Sequence, residues 1–229
     1  MFESFPDKPL FGANLVSKLF AEDTRNDKLD LGLGVYKNSE GQTTILGSVK
    51  RAEARLLKRQ TTKSYVGLAG DKVFSRRLAE LTMGSDQAWG RISLAQTPGG
   101  VAAMRVGFEM VHAARPDATV WVSNPTWANH PPIIQHAGLA VQTYPYFNEE
   151  TGGVNFDAMT KCLGDLPAGD VVLLQVSCHN PTGAGLENAQ WDVIAELCSK
   201  RGLLPFLDVA YQGFGGGIEA DSCLLYTSP

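Results

Sequence analysis

Four short stretches of this 229-residue chain place chemically capable side chains at the ends of apolar runs. Leu203 to Gly213 reads LLPFLDVAYQG, an apolar run that ends in the carboxylate of Asp208, with the phenol of Tyr211 three residues on. An acid at the carboxyl end of a buried parallel strand stands where open α/β sheets bind their ligands. Ser177 to Gly183 (SCHNPTG) follows a second run, Val171–Val176, and offers the Asn180 amide as a donor to a ligand oxygen. The proline after Asn180 halts the chain and allows a cis peptide. Asn124 to His130 (NPTWANH) brings a flat indole, Trp127, and an imidazole, His130, to the end of a third run. Thr97 to Val101 (TPGGV) lies between an apolar run and a helical pattern. The free N–H groups and dipole of a helix start favour an anion such as phosphate, which makes Gly99, Gly100 and Val101 a candidate cradle.

Each stretch also admits a plain structural role. TPGG serves equally as a tight strand-to-helix turn, and NPTG is a common turn composition. Asp208 alone could cap a helix or join an ion pair, Trp127 could be core, and His130 could hydrogen-bond a buried carboxylate rather than move protons. What favours chemistry is convergence. From Asn180 to Asp208 the pattern is strand end, loop, helix and strand, one right-handed βαβ unit, so neighbouring strands would put both residues in one crevice. No helical pattern follows Asp208, and Gly213–Gly217 reads as loop. No GxGxxG or GxxxxGK[ST] string occurs, which removes the main support for dinucleotide or P-loop binding.

The elements needed to hold these groups are legible in periodicity. Apolar runs Ile92–Ala95, Thr119–Val122, Leu139–Thr143, Val171–Val176 and Leu203–Leu207 predict strands, the last buried on both faces. They alternate with helical patterns near 100–114, 127–136, 156–163 and 188–200. Val101, Met104, Phe108 and Val111 form one apolar stripe on the first of these. Upstream, helices are expected from Leu15 to near Arg25, over 49–59 and over 72–83, the last with Asp71 as N-cap and Gly84 as stop. Leu31–Tyr36 reads as extended and Asn38–Gly41 as a turn. Residues 1 to about 12 read as an arm lying on another surface. Continuously apolar strands such as Val171–Leu174 are expected where helices cover both sheet faces. The fold class is therefore α/β: a three-layer, doubly wound, mainly parallel sheet.

Composition narrows the function classes. A net charge of −4 without a basic run argues against nucleic acid as partner. The N-terminal stretch does not resemble a targeting peptide, and no run has the apolar length of a membrane span, so a cytoplasmic protein is expected. The four cysteines, Cys162, Cys178, Cys198 and Cys223, are widely spaced without a CxxC pair, which argues against a metal site and a disulfide framework.

Taken in order, GLGVYK (32–37), SYVG (64–67), TPGG (97–100), NPTWANH (124–130), CHNPTG (178–183) and LDVAYQGF (207–214) resemble the class I, fold type I aminotransferases, specifically the aspartate and aromatic amino acid aminotransferases. The resemblance runs from residue 1 to about 221. It implies pyridoxal 5′-phosphate (PLP) as cofactor. Asp208 would pair with the pyridinium nitrogen, with His130 orienting it, while Tyr211 and Asn180 would bond the phenolate oxygen. Trp127 would stack on one ring face, with Ala210 against the other. Gly99, Gly100 and Val101 would meet the phosphate, and Tyr65 would reach the phosphate of a neighbouring subunit, giving a homodimer with shared sites. Gly34, Trp127 and Asn180 would meet the substrate. Val101 departs from the family's usual Thr or Ser, which implies a slightly weaker cofactor grip.

The same resemblance implies domains at 1–43 (arm and small-domain segment) and 44–221 (PLP-binding large domain). The family's Schiff-base lysine, found in a Ser-x-Ser-Lys-Asn-like string, has no counterpart, and residues 222–229 do not continue the pattern. The expectation is an N-terminal fragment with a non-native tail, insoluble or molten and inactive on its own. The implied activity is amino-group transfer between aspartate, or an aromatic amino acid such as tyrosine, and 2-oxoglutarate. Val35 and Lys37 resemble the aspartate type. A fold type I lyase or decarboxylase and a non-catalytic ligand-binding protein are the alternatives.

Overall fold

A computed structural model of the chain describes residues 13–29, 34–85 and 87–222. The expected arm (1–12), the start of the GLGVYK string and residues 223–229 lie outside the described residues. The chain divides into two compact units, Met1–Ser64 and Tyr65–Pro229.

The first unit carries helix α1 (Ala13–Glu22), which stops short of the expected Arg25, and helix α2 (Gly47–Arg59). Between them the expected turn forms. Asn38 Oδ1 accepts the N–H groups of Glu40 and Gln42 at 3.0 and 2.8 Å, an Asx-type turn in which the side chain replaces a backbone acceptor. No residue of α2 is buried, and Leu56 and Leu57 are exposed.

The second unit holds the sheet. Helix α3 (Lys72–Met83) has the expected ends: the Asp71 carboxylate accepts the Phe74 N–H at 2.7 Å, and Gly84 turns the chain at φ +80°. Helix α4 (Gly100–Ala114) follows, then strand β1 (Thr119–Asn124), helix α5 (His130–His136), strand β2 (Ala140–Pro145), a small hairpin of β3 (Phe147–Asn148) and β4 (Gly153–Val154), helix α6 (Phe156–Gly164), strand β5 (Val171–Gln175), helix α7 (Asn188–Arg201), strand β6 (Leu204–Asp208) and helix α8 (Ile218–Ser222). The main sheet is parallel in the order β2-β1-β5-β6.

Alternation along the strands makes the three layers. Val171 and Leu173 of β5 join Val120 and Val122 of β1 in a core under α4 and α5, where Met104, Phe108, Ile133 and Ile134 are buried. Val172 and Leu174 point the other way, into a core built with Met159 and Leu163 of α6 and Trp191, Ile194 and Cys198 of α7. Successive strand side chains leave opposite faces, so a run apolar at every position must be covered twice. Buried Tyr144 and Tyr146 belong to the second core, and each donates its hydroxyl to a carbonyl, Leu173 O at 2.9 Å and Ala184 O at 2.8 Å. Burial pushes both phenols above their ordinary pKa.

Five expectations need correction. Ile92–Ala95 is extended but is not a strand among the described residues, because an apolar run becomes a strand only where a ladder partner stands beside it. The segment is tied only near its two ends, by Ile92 N–H to Trp89 O at 3.2 Å and by Gln96 N–H to Ala69 O at 2.9 Å. The β6 run is not buried on both faces: it is an edge of the described sheet, and Leu204 is exposed. The helical pattern expected over 127–136 starts at His130 rather than Trp127, since the 124–129 loop is used to present side chains. Val101 leaves the buried stripe of α4 and is half exposed, one turn beyond where the core reaches. Finally, the glycine loop 213–217 is followed by a helix, α8, too short and too acidic to show a periodic pattern.

Candidate active site

The order β2-β1-β5-β6 reverses direction between β1 and β5, where chain connections leave the sheet on opposite sides. A crevice opens at the carboxyl ends of strands at such a point. Here it is lined by Gly100, Met104, Trp127, Gln175, Asn180, Asp208, Ala210 and Tyr211. Residues from the starts of α4 and the ends or following loops of β1, β5 and β6 thus meet in one place, though they span more than a hundred positions of sequence.

Asp208 is the last residue of β6 and pairs in register with Gln175, the last of β5. Its Oδ2 lies 3.2 Å from Nε2 of His130, which is completely buried. On the other side of that ring, Nδ1 meets Thr126 Oγ1 at 2.6 Å. The imidazole is thereby fixed at both nitrogens, and Trp127 packs against it edge-on, ring centroids 5.3 Å apart. A side chain held at two points loses little further freedom when its partner binds a ligand.

Asn180 is clamped by Gln175. The Gln175 amide donates to Asn180 O at 3.0 Å, and its Oε1 accepts the Asn180 N–H at 2.9 Å. The Asn180 side chain then donates from Nδ2 to the Tyr211 hydroxyl at 3.3 Å. Both Asn124–Pro125 and Asn180–Pro181 are cis. Behind Asn180, the buried ring of His179 stacks on Tyr146 at 4.1 Å. It shares hydrogen bonds with Ser123 Oγ at 2.8 Å and Thr182 Oγ1 at 2.9 Å. Burial, helped by the nearby His130, pulls the His179 pKa down to about 4, so the ring is neutral near pH 7.

The structure brings Asp208, Tyr211, Asn180, Trp127, Ala210 and Gly100 to one crevice, with His130 behind it. Other expected residues stand elsewhere. Gly99, at φ +86°, belongs to an apolar hollow beside α3, with Leu78 and Leu94. The Val101 side chain faces an outer hollow with Arg105, Asn129 and His136. Tyr65 is fully exposed, and Gly34 is in the first unit, with open space where a Cβ would stand. Gln175 and Met104 were not singled out from sequence. The signal for Gln175 was available, as the one polar residue closing the run VVLLQ. Met104 gave none, since a methionine in an apolar helical stripe reads as core. Among the described residues, no group of three or more His, Cys, Asp or Glu could hold a metal ion. Cys162, Cys178 and Cys198 are free thiols, and no described helix is long and apolar enough to cross a membrane.

Comparison with known proteins follows the same lines. The family described as aminotransferase class I and II matches residues 26–225. An aromatic-amino-acid aminotransferase from Paracoccus denitrificans is 46% identical over 203 residues, covering 89% of this chain and 52% of that protein. An aspartate aminotransferase from Salmonella typhi is 43% identical over 228 residues, covering 97% and 57%. The crystal structure of an aromatic-amino-acid aminotransferase from Burkholderia pseudomallei, covalently bound to pyridoxal phosphate, superposes with a TM-score of 0.95 at 36% identity, covering 99% of this chain and 58% of that one. The chain spans about half the length of the curated relatives it matches. By the family match and by these relatives, the chain belongs to the class I and II aminotransferases.

Proposed function

We propose that this chain forms the cofactor-binding part of a PLP-dependent aminotransferase that transfers an amino group from aspartate to 2-oxoglutarate. The observation that carries the reading is the meeting of Asp208, Asn180, Tyr211 and Trp127 on one crevice, with Asp208 held from behind by buried His130. The donor set fits the cofactor. One carboxylate, one neutral donor pair and one flat ring match a cationic nitrogen, a phenolate oxygen and an aromatic face. When bound, PLP supplies a protonated pyridine ring that draws electron density from the substrate's Cα.

The residues of the chain make that possible in separable ways. The Asp208 carboxylate favours a proton on the ring nitrogen, because an adjacent negative charge stabilises the charged form. His130 keeps that carboxylate from turning away. Asn180 Nδ2 and the Tyr211 hydroxyl would donate to the phenolate oxygen. Trp127 and Ala210 would enclose the ring, one broad and one small. Gly100 and Val101 would turn their backbone N–H groups to the phosphate at the start of α4, with Gly99, whose N–H meets Thr97 O at 2.9 Å, shaping the turn before them. Gly34 would admit the substrate's carboxylate.

A homodimer with shared sites and a cytoplasmic location belong to the same proposal. The fully exposed Tyr65, offered to a neighbour's phosphate, and the exposed Leu56 and Leu57 of α2 support the dimer. Three free thiols support a reducing compartment. Transfer from an aromatic amino acid is the second reading, favoured by the relative from Paracoccus denitrificans.

Titration with PLP, followed by absorbance, tests the cofactor. The full-length protein is expected to bind it, and Asp208→Ala is expected to abolish the change in the spectrum. A full-length protein that moves the amino group of neither aspartate nor phenylalanine would refute the activity, and the ratio of the two rates separates the readings. Sedimentation decides the dimer.

A further inference from the structure

We propose that Asp221 is a positioning residue for the crevice: its carboxylate latches the loop that follows β6 and so fixes Tyr211 opposite Asn180. This rests on the PLP reading above for its consequence in binding, though the latch itself is a matter of geometry.

Asp221 lies in α8, 13 positions beyond Asp208, yet its carboxylate turns back onto the loop between them. Oδ2 accepts the N–H groups of Gly213 at 2.7 Å and Gly215 at 3.0 Å, and Oδ1 accepts that of Gly216 at 2.7 Å. Successive N–H groups aimed at one point make an anion-binding nest, and here the chain fills the nest with its own side chain. The loop can take this shape because Gly213 and Gly217 adopt φ values of +97° and +112°. The carboxylate is buried, and these N–H groups hold its pKa below the ordinary value against the opposing effect of burial. A carboxylate buried on three donors is a fixed object rather than a solvated surface charge.

The latch begins two residues after Tyr211. Tyr211 O accepts the Phe214 N–H at 3.1 Å, and Gln212 Nε2 is shared between Ile218 O at 3.0 Å and Leu81 O at 3.2 Å. The segment from Tyr211 to Gly217 is thus tied to α8 at several points, with Asp221 contributing the most bonds. Tyr211 itself has one side-chain partner in the crevice, Asn180 Nδ2 at 3.3 Å, a long hydrogen bond that a small movement would break. The negative charge of Asp221 also acts on Cys178, two residues before Asn180, so the latch stands near both loops that supply the pair. The room is tight: a Cβ on Gly215 would come within 2.7 Å of Asp221 Oδ1.

The test compares the full-length protein with its Asp221→Asn variant, which keeps the shape and replaces one acceptor oxygen by a donor. PLP affinity is expected to fall about tenfold, the effect of losing one to two charge-assisted hydrogen bonds. In a Tyr211→Phe background the same substitution is expected to cost less than about twofold, because the group being positioned is gone. An unchanged affinity, or an equal loss in both backgrounds, would overturn the proposal. If Asp221→Asn does not fold, Gly215→Ala displaces the same carboxylate with its charge intact, and the same two comparisons decide. Should the unaltered protein fail to bind PLP, the cofactor reading fails on its own. Amide exchange then judges the latch: faster exchange from Tyr211 to Gly216 in the variant supports it, and identical exchange overturns it.

Discussion

Nε2 of His130 and Oδ2 of Asp208 stand 3.2 Å apart although 78 positions separate the two residues. Asp208 is one-fifth exposed and looks into the crevice, whereas His130 is wholly enclosed, its two ring nitrogens meeting Asp208 and Thr126. The imidazole therefore acts on the crevice through the carboxylate. Replacing it with Phe fills most of the volume but leaves both partners without their hydrogen bonds. His130→Phe is expected to cost about 1–3 kcal/mol of stability and to weaken PLP binding about tenfold. Denaturant unfolding and a PLP titration check the two effects, and PLP affinity equal to that of the unaltered protein would remove His130 from the proposed site.

His179 offers a pH test. Its pKa in the folded chain is about 4, below the ordinary 6.5, so the unfolded chain takes up the proton first as pH falls. The stability tied to a neutral His179 is complete above about pH 6.5 and drains away as the pH approaches 4, by at most about 3 kcal/mol. His179→Asn, which does not titrate, is expected to flatten unfolding free energy over that interval. Parallel pH profiles for the two proteins would show that another group carries the dependence.

A glycine in the middle of α4 tests the packing of the edge strand. The Phe206 ring of β6 stacks on Phe108 at 4.3 Å, and a Cβ on Gly107 would meet that ring at 2.8 Å. In an open helix, Gly→Ala would stabilise by about 1 kcal/mol. Here the ring must leave its stack, and overpacking costs about 1–3 kcal/mol, so the net sign reverses. Gly107→Ala is expected to lower the thermal midpoint, and a rise would mean that β6 moves freely.

Val101 tests the phosphate cradle. The side chain is half exposed at the start of α4 and makes no part of the buried stripe, so exchanging it does not disturb the core. Val101→Thr adds a hydroxyl beside the N–H groups that open α4. One further neutral hydrogen bond is worth about 1 kcal/mol, hence a PLP affinity roughly fivefold tighter. An unchanged dissociation constant would indicate that the phosphate does not sit at this helix start.

What sequence alone determined is local. The apolar runs at 119–122 and 171–176, the Asp71 and Gly84 stops of α3 and the full length of α4 each depend on neighbours within a few positions, and each forms as read. The strings that end the strands placed Asp208, Asn180 and Trp127 at one sheet edge for the same reason, since a motif after a parallel strand must emerge at its carboxyl end. Tertiary structure decided what depends on distant partners. Ile92–Ala95, largely apolar like its counterparts, finds no ladder among the described residues, and Leu204 of the LPFLD run is exposed although the run would suit burial on both faces. No local signal announced that Gln175 would clamp Asn180, that buried His179 would answer Ser123, or that Asp221 would reach back to three glycines. Those contacts depend on how separate elements pack, and propensity contains no information about which of two equally good partners the rest of the chain brings near.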